Sequence, residues 1–209
     1  HGKTTTTSML ATILYKAGFD PTVVIGGRLN AFESSARLGA GQFLVAEAHQ
    51  SDGSFMLLSP TISIITNIDP EHMSHWKNEE ALISGFTDFA KKVPFFGFSV
   101  LCLDHPVVQS IIPQIRRKVI TYGFSTQADL SAESFVQDEL HTKCTLRRQG
   151  EILGSLVLNM PGKHNMLNAM AATAVALGLG ISFSVISESL LAFTGVDRRF
   201  TLIMNQTID

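Results

Sequence analysis

Met9, Leu10, Ile13 and Leu14 recur at spacings of one, four and five within residues 4–16, and Gly18 follows where a left-handed residue ends a helix. That spacing predicts a helix with one apolar face. Residues 22–25, 42–47 and 61–66 are instead short apolar or β-branched runs bounded by Gly, Pro, Asp or Asn, the pattern of buried parallel strands. Helical spacing returns over residues 78–92, with Leu82, Ile83, Phe86, Phe89 and Ala90 on one face. A strand over 98–103, a helix over 107–115 and a strand over 118–124 complete the alternation. Strands alternating with helices over short loops predict an α/β fold with a doubly wound, mostly parallel sheet, whose ligands sit outside the carboxyl ends of the strands.

The rhythm changes after Asp129. Residues 143–148 and 151–158 alternate polar and apolar around Gln149-Gly150, which predicts an antiparallel hairpin at an edge or in a small side sheet. Beyond Pro161-Gly162, an Ala-rich helix is expected over 165–179, with Met166, Ala169, Met170 and Thr173 at three-and-four spacing, and a last helix over 184–193. There is no internal repeat.

Composition narrows the function. The 209 residues are 45% hydrophobic and 16% charged, which fits one large domain, alone or with a small appendage, and excludes disorder as the main state. Sixteen Lys and Arg against eighteen Asp and Glu leave a net charge of -2, without the one-sign field that a nucleic acid or anionic membrane demands. No apolar run approaches the roughly 20 residues that span a bilayer, and the start has no signal-peptide pattern. Cys102 and Cys144 are too few for a disulfide framework or a zinc cluster and read as buried thiols of a reducing cytosol. There is no initiator Met. Both ends are expected to be cut from a longer chain, residues 1–200 forming the domain, with its N-terminus inside a motif, and 201–209 a connector.

That motif is Gly2-Lys3-Thr4, opening a helix as a phosphate-binding loop does. Open amides at a helix start favour an anion, Lys3 is placed to reach terminal phosphates, and the Thr4 hydroxyl to ligate Mg2+. Glu47 puts a carboxylate at the carboxyl end of a central strand, and His72 follows the next strand by a short loop, so both belong to one rim as candidate metal ligands. Asn165 and Asn168 lie one turn apart near the start of their helix, where two amides suit reading a purine edge and equally suit capping. Arg198-Arg199 has the geometry for a phosphate clamp or stands as surface charge. Trp76 reads as a packed or rim aromatic.

Taken in order, these segments resemble the ATP-dependent Mur ligases of bacterial peptidoglycan synthesis. The resemblance is carried by His1-Gly2-Lys3-Thr4-Thr5-Thr6-Thr7, Ala46-Glu47-Ala48, Ser51-Asp52-Gly53-Ser54-Phe55 and Thr66-Asn67-Ile68-Asp69-Pro70-Glu71-His72-Met73. It continues through Val93-Pro94-Phe95-Phe96-Gly97, Pro161-Gly162-Lys163-His164-Asn165-Met166-Leu167-Asn168 and Arg198-Arg199-Phe200. It implies a P-loop-like central ATPase domain of a cytoplasmic bacterial enzyme that joins L-alanine to UDP-N-acetylmuramate through an acyl phosphate. It implies ATP contacts at Gly2, Lys3, Thr4, Thr5, His164, Asn165, Asn168 and Arg199. Mg2+ would be linked to Thr4, Glu47 and His72, and catalysis to Lys3, Glu47 and His72.

One segment departs from the family, which usually has Glu-Ala-Asp-Glu-Ser-Asp where this chain has Glu47-Ala48-His49-Gln50-Ser51-Asp52. Two acidic positions are neutral here, while Glu47 is kept. Glu71 stands where the family more often has Asp. The alternatives are a recycling ligase that attaches a tripeptide to the same sugar nucleotide, a non-catalytic nucleotide-binding module, and a small-molecule kinase.

Overall fold

The structure, a computed structural model, describes residues 1–26, 36–71 and 73–195. Helix α1 spans Lys3–Lys16 directly after Gly2. Its residues from Thr6 to Leu14 are all buried, so the helix is enclosed on every side rather than along the single face its spacing predicts. Ser8 and Thr12 tolerate that burial because their hydroxyls donate to the carbonyls of Thr4 and Ser8, each at 2.8 Å.

Three short strands follow, β1 (Thr22–Val24), β2 (Ala36–Arg37) and β3 (Leu44–Ala46). They form a small sheet in the order β2-β1-β3, antiparallel between β1 and β2 and parallel between β1 and β3. The chain then runs through β4 (Ile62–Ile65), α2 (Glu79–Lys91), β5 (Phe98–Cys102), α3 (Pro106–Ile111), β6 (Val119–Gly123) and β7 (Leu130–Gln137). The last described elements are β8 (Thr142–Arg148), β9 (Glu151–Leu158), α4 (Lys163–Gly178) and α5 (Phe183–Leu191). Strands β4 to β9 make a six-stranded sheet in sequence order, parallel from β4 to β7 and antiparallel from β7 to β9.

Strand β5 is buried along its whole length, as its unbroken apolar run requires. Phe98, Val100 and Cys102 pack into a core with α1, α4 and α5, whereas Leu101 joins Phe55, Leu82, Phe89, Val108 and Ile111 on the opposite face. Helices therefore cover both faces, the doubly wound arrangement expected. Alanines 169, 171, 172, 174 and 176 keep α4 slim where it packs on α1 and the sheet. Helix α2 starts at Asn78, whose side chain accepts the Ala81 amide at 2.8 Å, with Glu79 and Glu80 at the positive end of the dipole.

The Gln149-Gly150 turn has φ of 50° and 85°, matching the right-handed twist of the strands it joins. The hairpin is the far edge of the main sheet, attached through β7, which pairs parallel to β6 and antiparallel to β8. Among the described residues, β3 and β4 are the facing edges of the two sheets, and a cavity of about 570 Å³ lies between them, walled by both strands, Leu10 and Leu14 of α1, and Phe86 of α2.

Candidate functional site

The ends of β1, β3 and β4 and the starts of α1 and α4 meet at one rim. Gly2 adopts φ 80° and leads into α1, whose first intrahelical bond runs from the Thr6 amide to the Gly2 carbonyl at 2.9 Å. The amides of Lys3, Thr4 and Thr5 precede that bond and have no partner among the described residues, and no acidic residue stands in the first turn to occupy them. Lys3 lines the mouth of the cavity and makes no ion pair with any described residue.

Glu47 leaves the end of β3 and is half-buried. The Thr4 hydroxyl donates to its two carboxylate oxygens at 3.1 and 3.0 Å, and the Gly26 amide donates to Oε2 at 3.1 Å. The juxtaposition of Thr4 and Glu47 inferred from strand and helix ends is thus present. Both offer hard oxygen donors, the set that suits Mg2+ with water completing its shell.

The segment after β4 closes the other side. Thr66 Oγ1 and Asn67 Nδ2 donate to the His1 carbonyl at 3.1 and 2.8 Å, and Glu71 Oε1 sits 3.0 Å from His1 Nε2. This hold on the segment before α1 is not contained in any local sequence pattern, since it joins positions more than sixty residues apart. His72 and Arg199 lie outside the described residues.

Helix α4 brings its start to the same place. Its cap is Gly162, and the Asn165 side chain donates to the Pro161 carbonyl at 2.8 Å rather than capping an amide. Asn168 is buried, with its side chain against Gly2 so closely that a Cβ on that glycine would stand 2.3 Å from Oδ1. His164 is exposed on the first turn, and the Lys163 ammonium lies 4.3 Å from the centre of the Phe124 ring. So Gly2, Lys3, Thr4, Thr5, Glu47 and Asn168 converge, with His164 and Asn165 beside them.

In the departing segment, the Ser54 amide holds the Asp52 carboxyl below the usual carboxylate range. Trp76 is half-buried, donates to the Gln50 carbonyl at 3.1 Å and packs near Phe55, as a rim aromatic should. Asp104 and His105, which follow β5, were not singled out from sequence. Their signal was an acidic residue and a cap position directly before Pro106 at a helix start. No described helix is long and apolar enough to cross a membrane.

Comparison with known proteins follows the same outline. The Mur ligase middle domain matches residues 1–176. UDP-N-acetylmuramate–L-alanine ligase of Syntrophotalea carbinolica is 53% identical over 200 residues, covering 96% of this chain and 44% of that protein. Its namesake from Sorangium cellulosum is 52% identical over 203 residues, covering 97% and 43%. The chain spans under half the length of these curated relatives. Among solved structures, UDP-N-acetylmuramate-alanine ligase from Thermotoga maritima superposes with a TM-score of 0.79 at 28% identity, over 95% of this chain and 44% of that one. The UDP-N-acetylmuramate:L-alanyl-gamma-D-glutamyl-meso-diaminopimelate ligase from Neisseria meningitides gives 0.81 at 27%, over 95% and 65%.

Proposed function

Because the chain belongs to the Mur ligase family, as its middle domain, we propose that it is the ATP-binding part of a bacterial, cytoplasmic ligase that joins L-alanine to UDP-N-acetylmuramate. The observation that carries the proposal is the meeting of the Gly2-Lys3-Thr4 helix start with Glu47 at the carboxyl rim of the sheets. The choice of amino acid rests on the 53% and 52% identity to two alanine ligases, since among the solved structures the alanine ligase and the tripeptide ligase stand level at 28% and 27%. We assign residues 1–200 to the middle domain, whose family model matches 1–176, and the two substrates mainly to the parts of the relatives that this chain does not span.

In the proposed reaction the muramyl carboxylate takes the terminal phosphoryl group of ATP, and the alanine amine attacks the resulting acyl phosphate, releasing phosphate and leaving an amide. The open amides of Lys3, Thr4 and Thr5 and the Lys3 ammonium hold the phosphates and offset charge as it moves toward the ADP oxygen. Thr4 and Glu47 supply hard donors for Mg2+, with His72 as a further metal-linked residue. Bound there, the ion would neutralise phosphate charge and orient the transferred group. Asn165, Asn168 and His164 serve the adenine side and Arg199 a phosphate.

The test is ADP release and amide formation by the protein with its flanking regions, given MgATP, UDP-N-acetylmuramate and, in turn, alanine, glycine, serine or the tripeptide. Amide with alanine is expected, reduced about a hundredfold or more in Lys3→Ala and His72→Ala. Amide with the tripeptide alone, or no amide at all, overturns the assignment.

A further inference from the structure

We propose that His105 is a positioning residue for the phosphate loop, acting through Asp69; the proposal rests on the nucleotide-binding assignment of Gly2-Lys3-Thr4. His105 is the N-cap of α3, a position usually held by Ser, Thr, Asp or Asn. Its Nδ1 accepts the Val108 amide at 3.4 Å, which is the capping bond those shorter residues make. An accepting Nδ1 puts the ring proton on Nε2, and Nε2 lies 3.2 Å from Asp69 Oδ1. The imidazole, whose Nε2 reaches farther from the backbone than an asparagine amide, caps one helix and donates to a second segment at once.

That second segment is the one that grips the phosphate loop. Asp69 stands between Asn67, which donates to the His1 carbonyl, and Glu71, which meets the His1 ring. Ile68, next to Asp69, is 2% exposed and anchors the segment in the core. The post on the other side is rigid too. Asp104, the neighbour of His105, accepts the amides of Phe124 and Ser125 at 2.7 and 3.0 Å, so the dipeptide is tied to the end of β6. The path runs from the β5 end through His105 and Asp69 to His1 and Gly2, and it bears on the phosphates rather than on the base.

The test is made in the full chain with two ligand affinities, for ADP and for adenosine, and the thermal midpoint. His105→Asn keeps a good cap but falls short of Asp69. It is expected to weaken ADP about three- to tenfold, with adenosine affinity and Tm close to wild type. Asp69→Ala, which removes the acceptor, should match it, and the double variant should be no worse than either single one. Unchanged ADP affinity in His105→Asn overturns the proposal, as does a parallel loss of ADP, adenosine and Tm, which would mean a purely structural role. Lys3→Ala is the separate control. If it leaves ADP affinity untouched, or wild type binds no ADP, the nucleotide assignment itself falls and takes this proposal with it.

Discussion

A Cβ on Gly2 would meet the Asn168 carboxamide oxygen at 2.3 Å, and the φ of 80° there disfavours any L side chain. Gly2→Ala is thus expected to cost about 1–3 kcal/mol through backbone strain and crowding, seen as a lower Tm, with ADP affinity falling because the open amides turn away. Adding Asn168→Ala should return part of the stability and not all of it, since it relieves the contact and leaves the φ. A Gly2→Ala protein with unchanged Tm would show that the loop relaxes freely. At this scale the sequence was legible where one residue type performs one local task. Gly2-Lys3-Thr4 before a helix and Glu47 at a strand end both read correctly, because helix starts and strand ends are local events. Asn168 read as a group facing a ligand or an amide, and the structure packs it against Gly2. His105 signalled only its local cap before Pro106, as its other task joins two loops 36 residues apart.

Gly97 marks a comparable constraint between elements. It precedes β5, and a Cβ there would fall 1.8 Å from the Thr61 carbonyl oxygen, beside the start of β4. Backbone cannot swing away as a flexible side chain can, so Gly97→Ala should push the amino ends of β4 and β5 apart. The expected loss is about 1–3 kcal/mol, read from denaturant midpoints, with nucleotide affinity little changed because the rim lies at the other end of both strands. The helices were legible to within a residue or two at most ends, since caps such as Asn78 and Ser182 announce them. Strand β7 was not foreseen. Its sequence, Leu-Ser-Ala-Glu-Ser-Phe-Val-Gln, starts with alternation and loses it at Ser134, where φ of 55° and a register shift interrupt the pairing. Without β7 the hairpin had no fixed place, and edge and side sheet were equally consistent with the pattern. Strand β2 is two residues long and pairs beside a segment outside the described residues, too short for any periodicity to declare it.

Across the whole molecule, the main sheet carries one free thiol in each of its two regimes, Cys102 on β5 in the parallel part and Cys144 on β8 in the antiparallel part. Each is nearly inaccessible, at 3% and 1% exposure. Burial raises both above the ordinary thiol range, Cys144 to about 12, so almost none of the reactive thiolate exists at neutral pH. The folded protein should accordingly resist iodoacetamide for as long as its core stays shut. The same two sulfurs then become a clock for unfolding: mass spectrometry after brief alkylation in denaturant counts zero, one or two labels per chain. Simultaneous arrival of both labels would mean that the sheet opens as a unit. A lasting singly labelled species would mean that the parallel half and the hairpin half come apart in turn, so that the join made by β7 is the seam of the fold.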